Sequence, residues 1–273
     1  MSDSRPPSVL PFWLAGARPA VVGHRGAAAS APENTLASFR AALGADAVET
    51  DVQLSSDHEL FLLHDDSLGR TTDGGAQQLD LARPASSQPW EALRTLDAGS
   101  WFAGSFTGER LALLDDLAAL LTRALDDGAP VGLDLEIKSP TAHAARTVVQ
   151  HVAATLTAEP WQRLVEAHTV MVTSFDPEVV ELGCALLPVP VGLLTATTPP
   201  AENVAELAEL GLAALVTSHD DLTLPVVVAA HEAGLVVGVY TANEAADWDR
   251  LVGLDVDFIV SDDPAALRAH LGR

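Results

Sequence analysis

The chain has 273 residues, 48% of them apolar, enough to bury a large core in one barrel-sized domain. Its 38 acidic against 15 basic residues leave a formal charge of -23, which repels polyanions and argues against nucleic acid or anionic membrane surfaces as partners. A lone cysteine, Cys184, excludes an internal disulfide, and the longest apolar candidate for a membrane span, Leu222 to Tyr240, is broken by Pro225, His231, Glu232 and Gly234.

In chain order, Met1 to Ala17 holds a short apolar run without a basic leader region, so it reads as uncleaved and the chain as cytoplasmic. Beyond it, short β-branched runs alternate with alanine- and leucine-rich stretches, the pattern of parallel strands joined by crossover helices. The first strand is expected over Ala20 to His24 and its helix over Thr35 to Leu43, with Asn34 as the N-cap. A second strand follows over Ala47 to Asp51. The apolar run Glu59 to His64 lies only a tight turn away, too close for a parallel neighbour, and is expected to be a hairpin arm on the second strand. Residues 67–110, rich in Gly, Pro and polar residues, read as a small insertion pinned by Trp90 and Trp101. Helices are then expected over Leu113 to Leu125, Ala142 to Thr155, Pro177 to Leu186, Asn203 to Leu210, Pro225 to Ala233, Ala245 to Leu251 and Pro264 to Leu271. Between them fall strands over Val131 to Ile137, Thr169 to Ser174, Val189 to Leu194, Ala213 to Thr217, Leu235 to Tyr240 and Asp257 to Ser261. Eight strands, each followed by a helix, predict a single α/β domain over residues 1–273 with the TIM (β/α)8 barrel architecture.

Side chains two apart on a strand share a face, so Glu49 and Asp51 point one way, and Asp134, Glu136 and Lys138 share a face of the third strand. Barrel interiors are normally branched and apolar, and charges near the carboxyl ends of strands read as catalytic. Glu49, Asp51 and Glu136 converging there would repel by about 4 kcal/mol per pair at ~4 Å and an effective dielectric of ~20. A hard divalent cation relieves that repulsion, and an oxygen-only ligand set favours Mg²⁺ or Ca²⁺. His24 and Arg25 at the mouth of the first strand and His64 at the end of the arm add acid–base groups, while Arg25 and Lys138 supply positive charge for phosphate oxygens. Phe175, Tyr240 and His219 fall at strand ends on the same rim and are candidate substrate walls, and Gly26 is expected to let the backbone turn beside the site.

These motifs resemble the glycerophosphodiester phosphodiesterases. The likeness starts with His24-Arg25-Gly26, Pro32-Glu33-Asn34-Thr35 and Ser38-Phe39. It continues through Glu49 and Asp51, His64-Asp65, Arg70-Thr71-Thr72-Asp73-Gly74 and Asp97-Ala98-Gly99-Ser100-Trp101-Phe102. Glu136-Ile137-Lys138, Ser174-Phe175 and Ser261-Asp262-Asp263-Pro264 complete it. The resemblance implies metal ligands at Glu49, Asp51 and Glu136, acid–base histidines at His24 and His64, and phosphate contacts from Arg25 and Lys138. It implies metal-dependent hydrolysis of a small glycerophosphodiester to sn-glycerol-3-phosphate and an alcohol, with a lysophospholipase-D-type reaction on lysophospholipids as the alternative. Two positions depart from the family's pattern: Tyr240 stands where Trp is usual, and Ser56-Asp57-His58-Glu59 lacks the usual lysine or glycine of the tight turn. A glycosidase would use paired carboxylates but leave His24, Arg25, His64 and Lys138 idle, and a decayed, non-catalytic barrel would not retain all seven chemical positions.

Overall fold

The computed structural model describes residues 9–16, 18–77, 79–138 and 143–273. The opening of the leading segment, Met1 to Ser8, as well as Ala17 and the expected helix start at Ala142, lies outside the described residues.

The strands are β1 (Ala20–Gly23), β2 (Ala47–Leu54), β3 (Leu60–Leu62), β4 (Gly132–Ile137), β5 (Val170–Ser174), β6 (Val191–Thr195), β7 (Ala214–Ser218), β8 (Val236–Tyr240) and β9 (Phe258–Ser261). The helices are α1 (Leu36–Ala41), α2 (Trp90–Leu93), α3 (Leu114–Asp126), α4 (Ala145–Leu156), α5 (Trp161–Glu166), α6 (Pro177–Leu186), α7 (Val204–Ala208), α8 (Leu224–Glu232), α9 (Ala245–Gly253) and α10 (Pro264–His270). Every barrel pairing is parallel, and β1 bonds both β9 and β2, which closes eight strands into a TIM barrel. β3 stands outside that ring, antiparallel to the upper half of β2 with Val52 opposite Leu62 and Leu54 opposite Leu60. β2 therefore runs three residues beyond the expected end at Asp51, because the arm supplies partners above the barrel rim.

Alternation sorts the strand residues into two cores. Val48, Val52, Leu133, Leu135 and Ile137 face the helices and pack with Leu117, Leu121, Val149 and Val152. Ala47, Met171, Ala214, Val216, Phe258 and Val260 fill the interior together with Trp13. Trp13 plugs the end where the strands begin, donating from its indole to the carbonyl of Thr169 and meeting Phe258 edge-on at 5.5 Å. A third cluster joins the arm to the inserted segment: Phe61 and Leu63 pack with Leu68, Leu93, Leu96 and Ala98, and Trp90 leans on Phe61. Trp101 does not share that core; it is 39% exposed and stacks edge-on against Phe102.

Three local expectations are corrected. Thr35, not Asn34, caps α1, its hydroxyl accepting from the Ser38 amide. Asn34 instead takes a left-handed φ of 56° that turns its amide inward. α5 was not expected, because a six-residue helix shows only the Trp161/Leu164 spacing as signal. The helix expected over Asn203 to Leu210 is present but shorter, as α7, and a 3₁₀ turn over Ala201–Asn203 leads into it. Among the described residues, no helix is long and apolar enough to cross a membrane.

Barrel closure beside Phe258 requires a missing side chain: a Cβ built on Gly238, its partner on β8, would lie 2.0 Å from the Phe258 ring. Gly238→Ala should therefore overpack the interior and cost about 1–3 kcal/mol of stability. A urea melt checks this, and an unchanged midpoint would show that the ring can step aside.

Candidate active site

The first loop turns sharply after β1. Arg25 and Gly26 both have positive φ, 51° and 91°, and a Cβ on Gly26 would sit 2.4 Å from the Ser38 hydroxyl, so only glycine fits there. The Ser38 hydroxyl in turn donates to the Arg25 carbonyl and accepts from the Ala27 amide. That turn holds His24 and Arg25 over the barrel mouth.

The β2–β4 register places Glu49 opposite Asp134 and Asp51 opposite Glu136, four acids on one face of two neighbouring strands. Like charges directly opposite one another are unfavourable. Glu49, Asp51 and Glu136 are only 6%, 1% and 8% exposed, and one carboxylate oxygen from each lies within 4.8 Å of the others. Burial, then Asp51 and Glu136, push the Glu49 carboxyl well above its usual range. Burial and Asp51 raise Glu136 to about 7. Burial also works against an ionised Asp51, yet Arg25, Lys138, His64 and a bond from Asn34 overcome it and hold this carboxyl below its usual value. Asp51 is thus the ionised centre around which the other two titrate.

Its support is specific. The Asn34 amide donates to Asp51 Oδ2 at 2.8 Å while its carbonyl accepts from the Thr50 hydroxyl and the Asp51 amide. Arg25 Nε lies 3.4 Å from Asp51 Oδ2, and the Arg25 amide donates to Glu49 Oε2 at 2.8 Å. Lys138 Nζ lies 2.7 Å from Glu136 and 3.5 Å from Asp51. Asp51 Oδ1 is nevertheless buried without a hydrogen-bond partner. An orphaned carboxylate oxygen among three convergent oxygen donors fits a hard divalent cation, with Glu49, Asp51 and Glu136 as the residues able to hold it.

Both histidines are oriented by acids. His24 Nδ1 lies 2.6 Å from Asp262, whose other oxygen accepts from Asn243 at 2.6 Å. Burial works to raise Asp262, but its bond to His24 and the charges around it keep the carboxyl below its usual value. His64 Nδ1 lies 2.8 Å from Asp65. Bonds from Arg70 hold Asp65 down at about 2, and burial keeps the His64 imidazole below its ordinary value. Arg70 also grips Glu33 through two bonds of 2.7 Å, and Glu33 accepts from Arg25 at 2.6 Å. A chain of charge thus runs from Arg25 through Glu33, Arg70 and Asp65 to His64.

A cavity of about 220 Å³ opens between these groups, lined by His24, Arg25, Glu49, His64 and Glu136 on one side and by Phe175, Leu194, Val216, Tyr240 and Val260 on the other. Phe175 and Tyr240 meet edge-on at 5.7 Å, and Tyr240 is anchored by donating to the Thr195 carbonyl. Lys138 Nζ sits 6.0 Å over the Phe175 ring. His219 does not line this cavity; its ring lies 3.7 Å from Asp247 and 3.6 Å from Asp220.

Residues 24–266 match the profile of the Glycerophosphoryl diester phosphodiesterase family. The chain belongs to this family. A glycerophosphodiester phosphodiesterase of Caldanaerobacter subterraneus subsp. tengcongensis is 40% identical over 103 residues, which is 37% of this chain and 40% of that protein. The matched segment spans less than half of that curated relative. Similarity of fold extends further. An Oleispira antarctica phosphodiesterase solved with the product sn-glycerol-3-phosphate superposes with a TM-score of 0.79 at 27% identity, covering 93% of this chain and 97% of that one. A glycerophosphodiester phosphodiesterase of Agrobacterium tumefaciens gives a TM-score of 0.72 at 28% identity, covering 92% and 99%.

Within this family member, the groups missed at the level of sequence are Asp262, Asn243 and the Glu33–Arg70 link. Asp262, Glu33 and Arg70 lie inside recognisable motifs, but nothing local shows that Asp262 reaches a histidine 238 residues away. Asp134 is fully buried, accepts from the Thr173 hydroxyl at 2.8 Å and is raised by burial to about 7. Such a group binds a proton in the folded chain over pH values where the unfolded chain has released it, so it stabilises below the unfolded value near 4 and that stability is lost as pH rises through about 7. In metal-free protein, Asp134→Asn should flatten the fall of stability between about pH 4 and 7 by up to ~1.4 kcal/mol per pH unit. Urea melts across that range in a chelator measure it; parallel profiles for the two proteins would contradict the raised carboxyl.

Proposed function

We propose that this chain is a divalent-metal-dependent glycerophosphodiester phosphodiesterase that releases sn-glycerol-3-phosphate and a small alcohol. The observation that carries the reading is the pairing of two carboxylate-oriented histidines, His24 and His64, with the Glu49–Asp51–Glu136 cluster around one cavity. The Oleispira antarctica phosphodiesterase, solved with sn-glycerol-3-phosphate, supports the choice of product.

Arg25 and Lys138 offset the acidic field of the whole chain and offer donors to the phosphoryl oxygens. Glu49, Asp51 and Glu136 would hold a Mg²⁺ or Ca²⁺ ion, which would supply Lewis-acid polarisation of the phosphoryl group. His64, held below its ordinary value by burial, is mostly neutral near pH 7 and is assigned the base that takes a proton from the nucleophile. His24 then serves as the acid: Asp262 on its Nδ1 orients the ring, and Nε2 gives its proton to the leaving alkoxide. The nucleophile is water or the neighbouring hydroxyl of the glycerol, the latter gaining from proximity and giving a cyclic phosphate first. Phe175 and Tyr240 form the apolar wall against the organic part of the substrate. The reading includes a cytoplasmic setting and a small diester rather than a nucleic acid as substrate.

A second reading, hydrolysis of lysophospholipids, is favoured by the apolar wall of Leu194, Val216 and Val260 beside those rings. Rates measured against substrates of increasing acyl length separate the two: a fall with length supports the deacylated substrate, a rise supports the lysolipid.

Glycerophosphocholine offered to metal-stripped protein should yield glycerol-3-phosphate only after Mg²⁺ or Ca²⁺ is restored. His24→Ala and His64→Ala should each lower kcat by about 10²–10⁴ with the fold intact. Undiminished turnover in either variant would remove that histidine from the chemistry.

A further inference from the structure

Three of the nine histidines gather away from the cavity, where the turn between β2 and β3 meets the first turns of α4. His58 lies on the turn in a left-handed conformation, φ 71°, with its ring centre 4.7 Å from that of His151 and 5.6 Å from that of His143. Two imidazoles bound to one tetrahedral ion through bonds of about 2.1 Å have ring centres roughly 5 Å apart. The observed spacings are of that size.

The two other rings are already oriented. His151 Nδ1 lies 2.8 Å from the Thr147 carbonyl, and His143 Nε2 lies 3.0 Å from the Ser55 carbonyl. A carbonyl only accepts, so those nitrogens carry the protons, and Nε2 of His151 and Nδ1 of His143 keep their lone pairs. Metal-bound histidines are held in just this manner, the second ring nitrogen donating to a backbone carbonyl. Glu59 and Asp115 line the same hollow as His58 and His151.

We propose that His58, His143 and His151 form a second metal site, selective for a divalent transition ion of the Zn²⁺ or Cu²⁺ class, which clasps the β2–β3 turn to α4. Among the described residues only the Glu49–Asp51–Glu136 set has donors already within 4.8 Å of one another, so an ion at the histidine site has to draw the three rings closer together, with the exposed His58 the one on the turn. The two sites differ in kind. The barrel mouth offers oxygen to a hard ion, while imidazole nitrogens suit copper and zinc. The clasped arm leads, through β3, to His64.

The test uses the whole chain in saturating Mg²⁺, with one equivalent of Cu²⁺ read by electron paramagnetic resonance and Zn²⁺ affinity read by calorimetry. The expected spectrum shows hyperfine splitting from at least two imidazole nitrogens. His58→Ala and His151→Ala should each weaken Zn²⁺ binding at least tenfold and simplify the splitting by one nitrogen, while Glu49→Gln leaves affinity and spectrum unchanged. Metal-free melting temperatures matching wild type confirm that the variants fold, and His58→Gln replaces the alanine variant if the turn is perturbed. Absence of nitrogen splitting in the wild type, unchanged Zn²⁺ affinity in His58→Ala and His151→Ala, or loss of binding in Glu49→Gln would each overturn the proposal.

Discussion

Three carboxylates buried within 4.8 Å of one another at the barrel mouth set the terms for everything built around them. Uncompensated charge in that position costs several kcal/mol per ion, so the fold must either neutralise it or surround it with cations and donors. Both responses are present. Glu49 and Glu136 are pushed toward their protonated forms, whereas Asp51 is kept ionised by Arg25, Lys138 and the Asn34 amide. The left-handed backbone at Asn34 and the tight glycine turn at Gly26 follow from the same need, since each aims a donor at an acid.

The outer ring of contacts extends that logic into the loops. Glu33 is shared by Arg25 and Arg70, and Arg70 in turn grips Asp65, the acid that orients His64. The first loop, the arm and the inserted segment are therefore held together by charge as well as by the small core around Phe61 and Trp90. On the opposite side of the barrel seam, β9 ends at Ser261 and Asp262 follows directly, so His24 is fixed by the residue leaving the strand that closes the ring. Closure of the barrel and placement of this histidine are one structural event.

Much of this was legible in the sequence, because period-two alternation is a strong signal when charged residues replace apolar ones on a strand face. Glu49, Asp51, Asp134 and Glu136 could be placed on inner faces by counting alone, and the short turn at 55–58 ruled out a parallel partner for the next run. Local capping rules misassigned Asn34, because they weigh helix ends and are blind to a buried carboxylate 17 residues away. The same blindness hid Asp262 and Asn243, whose value lies in bonds made across the barrel seam. α5 escaped notice because one turn and a half carries too few apolar repeats to stand out from a loop. Phe175 and Tyr240 fall on the cavity wall, whereas His219, at the end of the neighbouring strand, turns toward Asp247, a choice of rotamer that strand periodicity does not encode.

Isothermal calorimetry of Mg²⁺ and Ca²⁺ with the wild-type chain and with Glu49→Gln, Asp51→Asn and Glu136→Gln addresses the central claim directly, that the buried acids are a cation site. The account predicts one ion per chain, proton release on binding near pH 7 as Glu136 gives up its proton, and at least a tenfold loss of affinity in each variant. Binding that is absent in the wild type, or that survives all three substitutions unchanged, would contradict it.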